Sequence, residues 1–200
     1  MAKRRRIKSK KLNKPAILGF FMLAILLFST VAFVLMGNNG DNRTVEYNDH
    51  KLHDMGEFWK LKYNNQDLLF RLFPSALDHI NISNEAINSL NETNYVFFSF
   101  NPEDQFIEYV ELIRLEFEKE MKEYFNKDVL SGILKNSTIY KNPVIDCNNA
   151  TNTTPVVIFK TGNETKFNYE NNCITATANQ ARDLIILKER LFYGMVGVIE

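Results

Sequence analysis

The sequence predicts an α+β fold: an N-terminal transmembrane helix followed by one globular domain, a mostly antiparallel sheet with two main helices. Three observations lead there. Charge is split along the chain. Eight of the 24 basic residues lie in residues 1–14 with no acid, and residues 15–36 carry no charge. Residues 37–200 hold the other 16 basic residues against 24 acids, a formal −8. The uncharged stretch is apolar almost throughout, and beyond it runs of period two alternate with runs of helical period. Together these exclude an ordinary cytosolic globule, a multi-pass transporter and a long disordered chain.

Residues 1–14 read as a basic cytoplasmic tail and residues 15–36 as the transmembrane helix. About 22 positions cover roughly 33 Å, against a bilayer core of about 30 Å. Pro15 suits the first turn, and residues 37–43, opening Gly37-Asn38-Asn39-Gly40, form a polar linker. Lys and Arg beside a span stay on the cytoplasmic side. The expected location is therefore the cell membrane, single-pass, with the N-terminus cytoplasmic and residues 44–200 outside as one α+β domain. A cleaved signal peptide would have a shorter apolar region, about 7–15 residues. The lipid bilayer is the expected partner of the basic tail; nucleic acid is not.

Within the domain, Phe58–Leu72 alternates around Asn64-Asn65 and predicts a hairpin. Ser83 caps a short helix to Leu90. Tyr95–Phe100 is a continuous apolar run, hence a central strand buried on both faces. Asn101-Pro102-Glu103-Asp104 starts a long helix to Phe125, with Phe106, Val110, Ile113, Phe117, Met121 and Tyr124 on one stripe. A shorter helix is expected over Val129–Lys135 and a strand over Val144–Cys147. Val156–Lys160 and Thr165–Tyr169 form a second hairpin, Cys173–Thr177 the last strand, and a helix from Asn179 carries Leu184, Leu187, Leu191 and Met195. The apolar run Leu191–Ile199 is too short to span a bilayer; it is a core helix or a docking surface.

Cys147 and Cys173 both lie beyond the apolar stretch. Outside the cytoplasm an even count reads as a disulfide. It would close a ring of about 27 residues, worth roughly 3.5 kcal/mol in the chain-entropy model. Two buried thiols in a reducing compartment are the alternative. Seven sequons, at Asn42, Asn81, Asn91, Asn136, Asn149, Asn152 and Asn163, all follow the apolar stretch and are glycosylation candidates.

Four C-terminal stretches, Val144-Ile145-Asp146-Cys147-Asn148-Asn149-Ala150-Thr151, Thr154-Pro155-Val156-Val157, Asn171-Asn172-Cys173-Ile174, and Asp183-Leu184-Ile185 with Glu189-Arg190-Leu191, form a pattern. It resembles one in uncharacterised small single-span archaeal membrane proteins with an extracytoplasmic α+β domain. The resemblance implies architecture and the Cys147–Cys173 pairing, and no activity.

Sequence signals for chemistry are sparse. Hydrolase, P-loop, dinucleotide and EF-hand motifs are absent, and no cofactor is expected. His50, His53 and Asp54 are the one metal-ligand spacing, but three-residue separation on a strand turns the two rings to opposite faces. His79 follows Asp78 without a recognisable nucleophile. Glu116, Glu118, Glu120 and Glu123 read as a solvated helix face laced to Arg114 and Lys122. Trp59, Tyr63 and Phe70 read as the packed face of a sheet, or else as a stacking platform for sugar or peptide. The expected function is a membrane-anchored extracytoplasmic binding or accessory module of the cell envelope, non-enzymatic, with an envelope protein or polymer as partner. The alternative is a membrane-tethered hydrolase of envelope peptide or glycan, metal-assisted through His50 and His53.

Overall fold

A computed structural model of the chain describes residues 14–37 and 43–199. The basic tail through residue 13, residues 38–42 of the expected linker, and with them the Asn42 sequon, lie outside the described residues. Two compact units divide at residue 41.

The first unit contains α1 (Lys14–Gly37), whose large apolar side chains from Leu18 to Phe28 are exposed. Among the described residues no helix is long and apolar enough to cross a membrane. This overturns the transmembrane helix expected over 15–36.

The second unit opens with an antiparallel meander: β1 (Thr44–Tyr47), β2 (His50–Asp54), β3 (Trp59–Tyr63) and β4 (Gln66–Phe70). Its turns are Asn48-Asp49 and the expected Asn64-Asn65, all at positive φ, which Asn and Asp tolerate. Leu52, Leu61 and Leu68 stand in register on the buried face, so one residue of slip would expose all three.

A second sheet has the order β6-β5-β7-β9-β8. Its strands are β5 (Tyr95–Phe100), β6 (Asp128–Ile133), β7 (Val156–Thr161), β8 (Lys166–Glu170) and β9 (Cys173–Ala178). Three of its pairings are parallel and only β8–β9 is antiparallel. The fold is thus α+β with one antiparallel and one mixed sheet, not a mostly antiparallel one. The short helix expected over 129–135 is β6, joined to β5 by the crossover α3 (Ile107–Phe125). Gly132 lets β6 pass close beneath Ile145: an added Cβ would lie 2.7 Å from Ile145 Cβ. The hairpin expected over 156–169 does not form, because β9 inserts between β7 and β8. Val156–Phe159 is buried on both faces, as a central parallel strand requires, and the tight turn is Asn171-Asn172. The expected strand at 144–147 reduces to a bridge from Val144 to Ile133 and a single 3₁₀ turn at Cys147–Asn149.

The long helix starts at Ile107, five residues late. Asp104 accepts from the Phe106 amide, but also from the Thr161 amide and hydroxyl, so Asn101–Phe106 turns across the end of β7. The expected stripe is otherwise correct: Val110, Ile113, Phe117 and Met121 are buried. α2 (Asn84–Asn91) is capped by Ser83. α4 (Ala181–Met195) is buried on every side from Leu187 onward. It lies with α3 between the two sheets. Tyr193 stacks on Phe70 of β4 at 3.8 Å, while Phe117 of α3 meets Phe98 and Phe159 of the second sheet and Phe192 of α4. The outer face of the second sheet carries a small separate cluster of Ile145, Val156, Ile158 and Cys173. Cys147 and Cys173 are bonded, with Cα atoms 5.3 Å apart, which ties the segment over this face to β9.

Candidate functional site

The best-formed combination of charge, rings and amides is a cleft of about 430 Å³ at the turn end of β3, the end of α3 and the end of α2. α3 ends at Asn126, whose φ of 55° sends the chain back so that the Lys127 amide reaches the Met121 carbonyl. Asn64, at φ 48°, turns the β3–β4 hairpin beside it. Two backbone turns therefore bring Tyr63, Asn64, Tyr124, Phe125, Asn126 and Lys127 to one wall, with Asn91 closing the other.

Lys127 is 7 % exposed. Its ammonium donates to the carbonyls of Asn91, at 2.9 Å, and Thr93, where α2 ends. The negative end of the helix favours a cation there. Among the described residues no carboxylate pairs with the ammonium, and burial holds its pKa below the ordinary lysine value. Burial, reinforced by Glu120 and Glu123, pushes the Tyr124 phenol up, so it stays a neutral donor. Asn91 is engaged, donating to the Met195 carbonyl at 3.2 Å. Phe125 is held from behind by Phe192 at 5.5 Å and meets Tyr63 at 6.1 Å.

The residues singled out in the sequence fall elsewhere. His50 shares its strand face with Leu52 and lines a different cleft, of about 700 Å³, with Asp49, Asp78 and Tyr47. His53 lies on the opposite face, opposite Lys60, with its Nδ1 2.8 Å from the Thr44 hydroxyl. Asp54 accepts from the Gly56 amide. Among the described residues no group of three His, Cys, Asp or Glu side chains could hold a metal ion. His79 lines a third cleft, of about 550 Å³, with Arg71 and Arg182, whereas its neighbour Asp78 accepts from the Tyr47 phenol in the His50 cleft. Of the aromatic trio, Phe70 is buried against Tyr193 and Trp59 packs on Phe73, while Tyr63 lines the Lys127 cleft. Asn81, Asn91, Asn136, Asn149, Asn152 and Asn163 are all exposed, with Asn149 and Asn152 accepting from Asp146 and Asn172.

The acidic helix face divides in two. Glu118 pairs with Arg114, as expected. Glu116 and Glu120 turn inward to Lys188, which is buried, and Glu116 also takes a two-point contact from Arg71. Glu189 accepts from the Arg71 and Leu72 amides, and Arg190 donates to the Ile80 carbonyl. These groups lock α4 to α3 and to the end of the meander, a structural role. The Arg71 guanidinium, followed by Lys188, holds the Glu116 carboxyl down at about 2. Its contribution is complete above the ordinary carboxyl value near 4.5 and is lost as pH falls toward 2. A pH–stability curve should therefore flatten in that window in Glu116→Gln, and an unchanged curve would show that this carboxylate is not paired in solution.

Lys127 had no readable signal. Its burial comes from Asn91, 36 positions earlier, and it follows the helical stripe rather than belonging to it. No protein-family model, curated protein sequence or solved structure matches the chain.

Proposed function

We propose that the chain is a membrane-associated binding module of the outer cell envelope, non-enzymatic, that holds an anionic ligand in the Lys127 cleft. One observation carries the reading: Lys127, whose desolvated ammonium has no carboxylate partner among the described residues, lines a preformed cleft. A buried charge is stabilised by an opposite charge, and two carbonyl dipoles supply only part of it. An anion entering the cleft supplies the rest. The disulfide supports an oxidising compartment, and the exposed apolar side chains of α1 support contact with lipid. The −8 of residues 37–200 repels anions in general, so capture requires a dedicated cation.

Titration of the full chain in detergent with acetate, followed by chemical shifts, tests this. Shifts should localise to Tyr63, Tyr124, Asn126 and Lys127, and Lys127→Met should weaken binding at least tenfold. Because Lys127 also caps α2, the wild-type shift map is the deciding measurement: an anion that leaves these four residues unmoved removes the reading. Protease added to intact cells should digest residues 44–200, and protection of that part would place the module on the wrong side of the membrane.

A further inference from the structure

We infer that the anion is the carboxylate of an acidic saccharide, a sugar acid of the uronate class; this deepens the anion-site reading above and rests on it. An inorganic anion or a simple carboxylate would use only the Lys127 ammonium. The cleft offers two further kinds of group. Tyr63 and Tyr124 present ring surface beside it, with Phe125 fixed from behind by Phe192. Aromatic faces accept the apolar C–H faces of a pyranose, while a tyrosine hydroxyl adds a polar contact at the ring edge.

Asn64 and Asn126 supply the other kind. Both stand at φ near 50°, where glycine would serve the backbone without cost. Each instead places a donor and an acceptor at the cleft. Among the described residues neither side chain makes a protein hydrogen bond, unlike Asn91, which is tied to Met195. Two open amides suit a ligand bearing vicinal hydroxyls. A volume of about 430 Å³ lies within the range of small-molecule sites, roughly 300–1,000 Å³, and suits one or two sugar rings.

The backbone geometry also gives the test. Asn64→Gly and Asn126→Gly keep both turns while deleting both amides, so the double variant should fold like the wild type. The full chain, in a detergent without sugar headgroups, is titrated with digalacturonate, with cellobiose as the neutral sugar and acetate as the bare anion. Digalacturonate should bind at least tenfold tighter than either control, and the double glycine variant should lose about tenfold for digalacturonate while leaving acetate unchanged. If acetate binds as well as digalacturonate, or the amide deletions change nothing, the saccharide inference is overturned and the anion site stands. If neither acid shifts the cleft residues, both fall.

Discussion

Replacing Lys188 by alanine should lower the stability of the domain by about 3–5 kcal/mol, read as a drop in the midpoint of chemical denaturation at neutral pH. The Lys188 side chain is 3 % exposed, and its ammonium lies 2.9 Å from Glu116 and 2.8 Å from both oxygens of Glu120. Removing it leaves Glu116 with Arg71 but strands Glu120. Burial already raises the Glu120 pKa while Lys188 works against it. Without that cation the main opposition to the effect of burial is gone, and the carboxyl rises further. A folded-state pKa raised above the unfolded one makes the protonated form the stabilising one, present at low pH and lost as pH rises through the folded value. The penalty should therefore shrink as pH is lowered from neutral. A penalty that does not vary with pH would show that lost packing, not a stranded charge, is its origin. Lys188→Met with Glu120→Leu should recover most of the loss, since an apolar pair can replace a buried ion pair. Arg114→Ala, which breaks part-exposed pairs on the outer side of α3, should cost under about 1 kcal/mol.

Reducing the Cys147–Cys173 disulfide should cost roughly 3.5 kcal/mol by releasing a ring of about 27 residues in the unfolded chain. Against a usual domain stability of about 5–15 kcal/mol this is a large fraction. The loss has a location. The disulfide holds the segment that covers Val156 and Ile158, and the Ser99 hydroxyl reaches the Ile145 carbonyl from beneath at 2.6 Å. Amide exchange in a Cys147→Ser, Cys173→Ser variant should rise first around residues 143–150 and along the outer face of β5 and β7. An unchanged denaturation midpoint with and without reductant would show that the crosslink adds nothing to this fold.

Much of the architecture was legible because the local signals were strong. The Asn64-Asn65 turn, the Ser83 cap, the buried strand at 95–100 and the Val110–Met121 stripe each rest on a few neighbouring residues. The errors came where a distant partner decides. β6 reads as helix until β5 is laid beside it, and β7 and β8 read as a hairpin until β9 separates them. α1 shows the opposite limit: an apolar run establishes a helix, but among the described residues no helix is long and apolar enough to cross a membrane. The cleft was half legible. Tyr63 stood out as an aromatic and Asn64 as a turn residue, whereas Asn126 was passed over at the end of the long helix. Their meeting with Lys127 depends on where α2 ends, which no local pattern encodes.

The helix that fills the middle of the domain, α4, follows both sheets in chain order. Until residues 181–195 are made, only α3 lies between the two sheets, and much of each apolar face has no partner. Closure of the core therefore waits for α4, and the nascent strands need shielding until it arrives. A stop codon just upstream of α4 would not give a slightly shortened protein but one whose Phe70 and Phe117 have lost Tyr193 and Phe192, a core open at its centre.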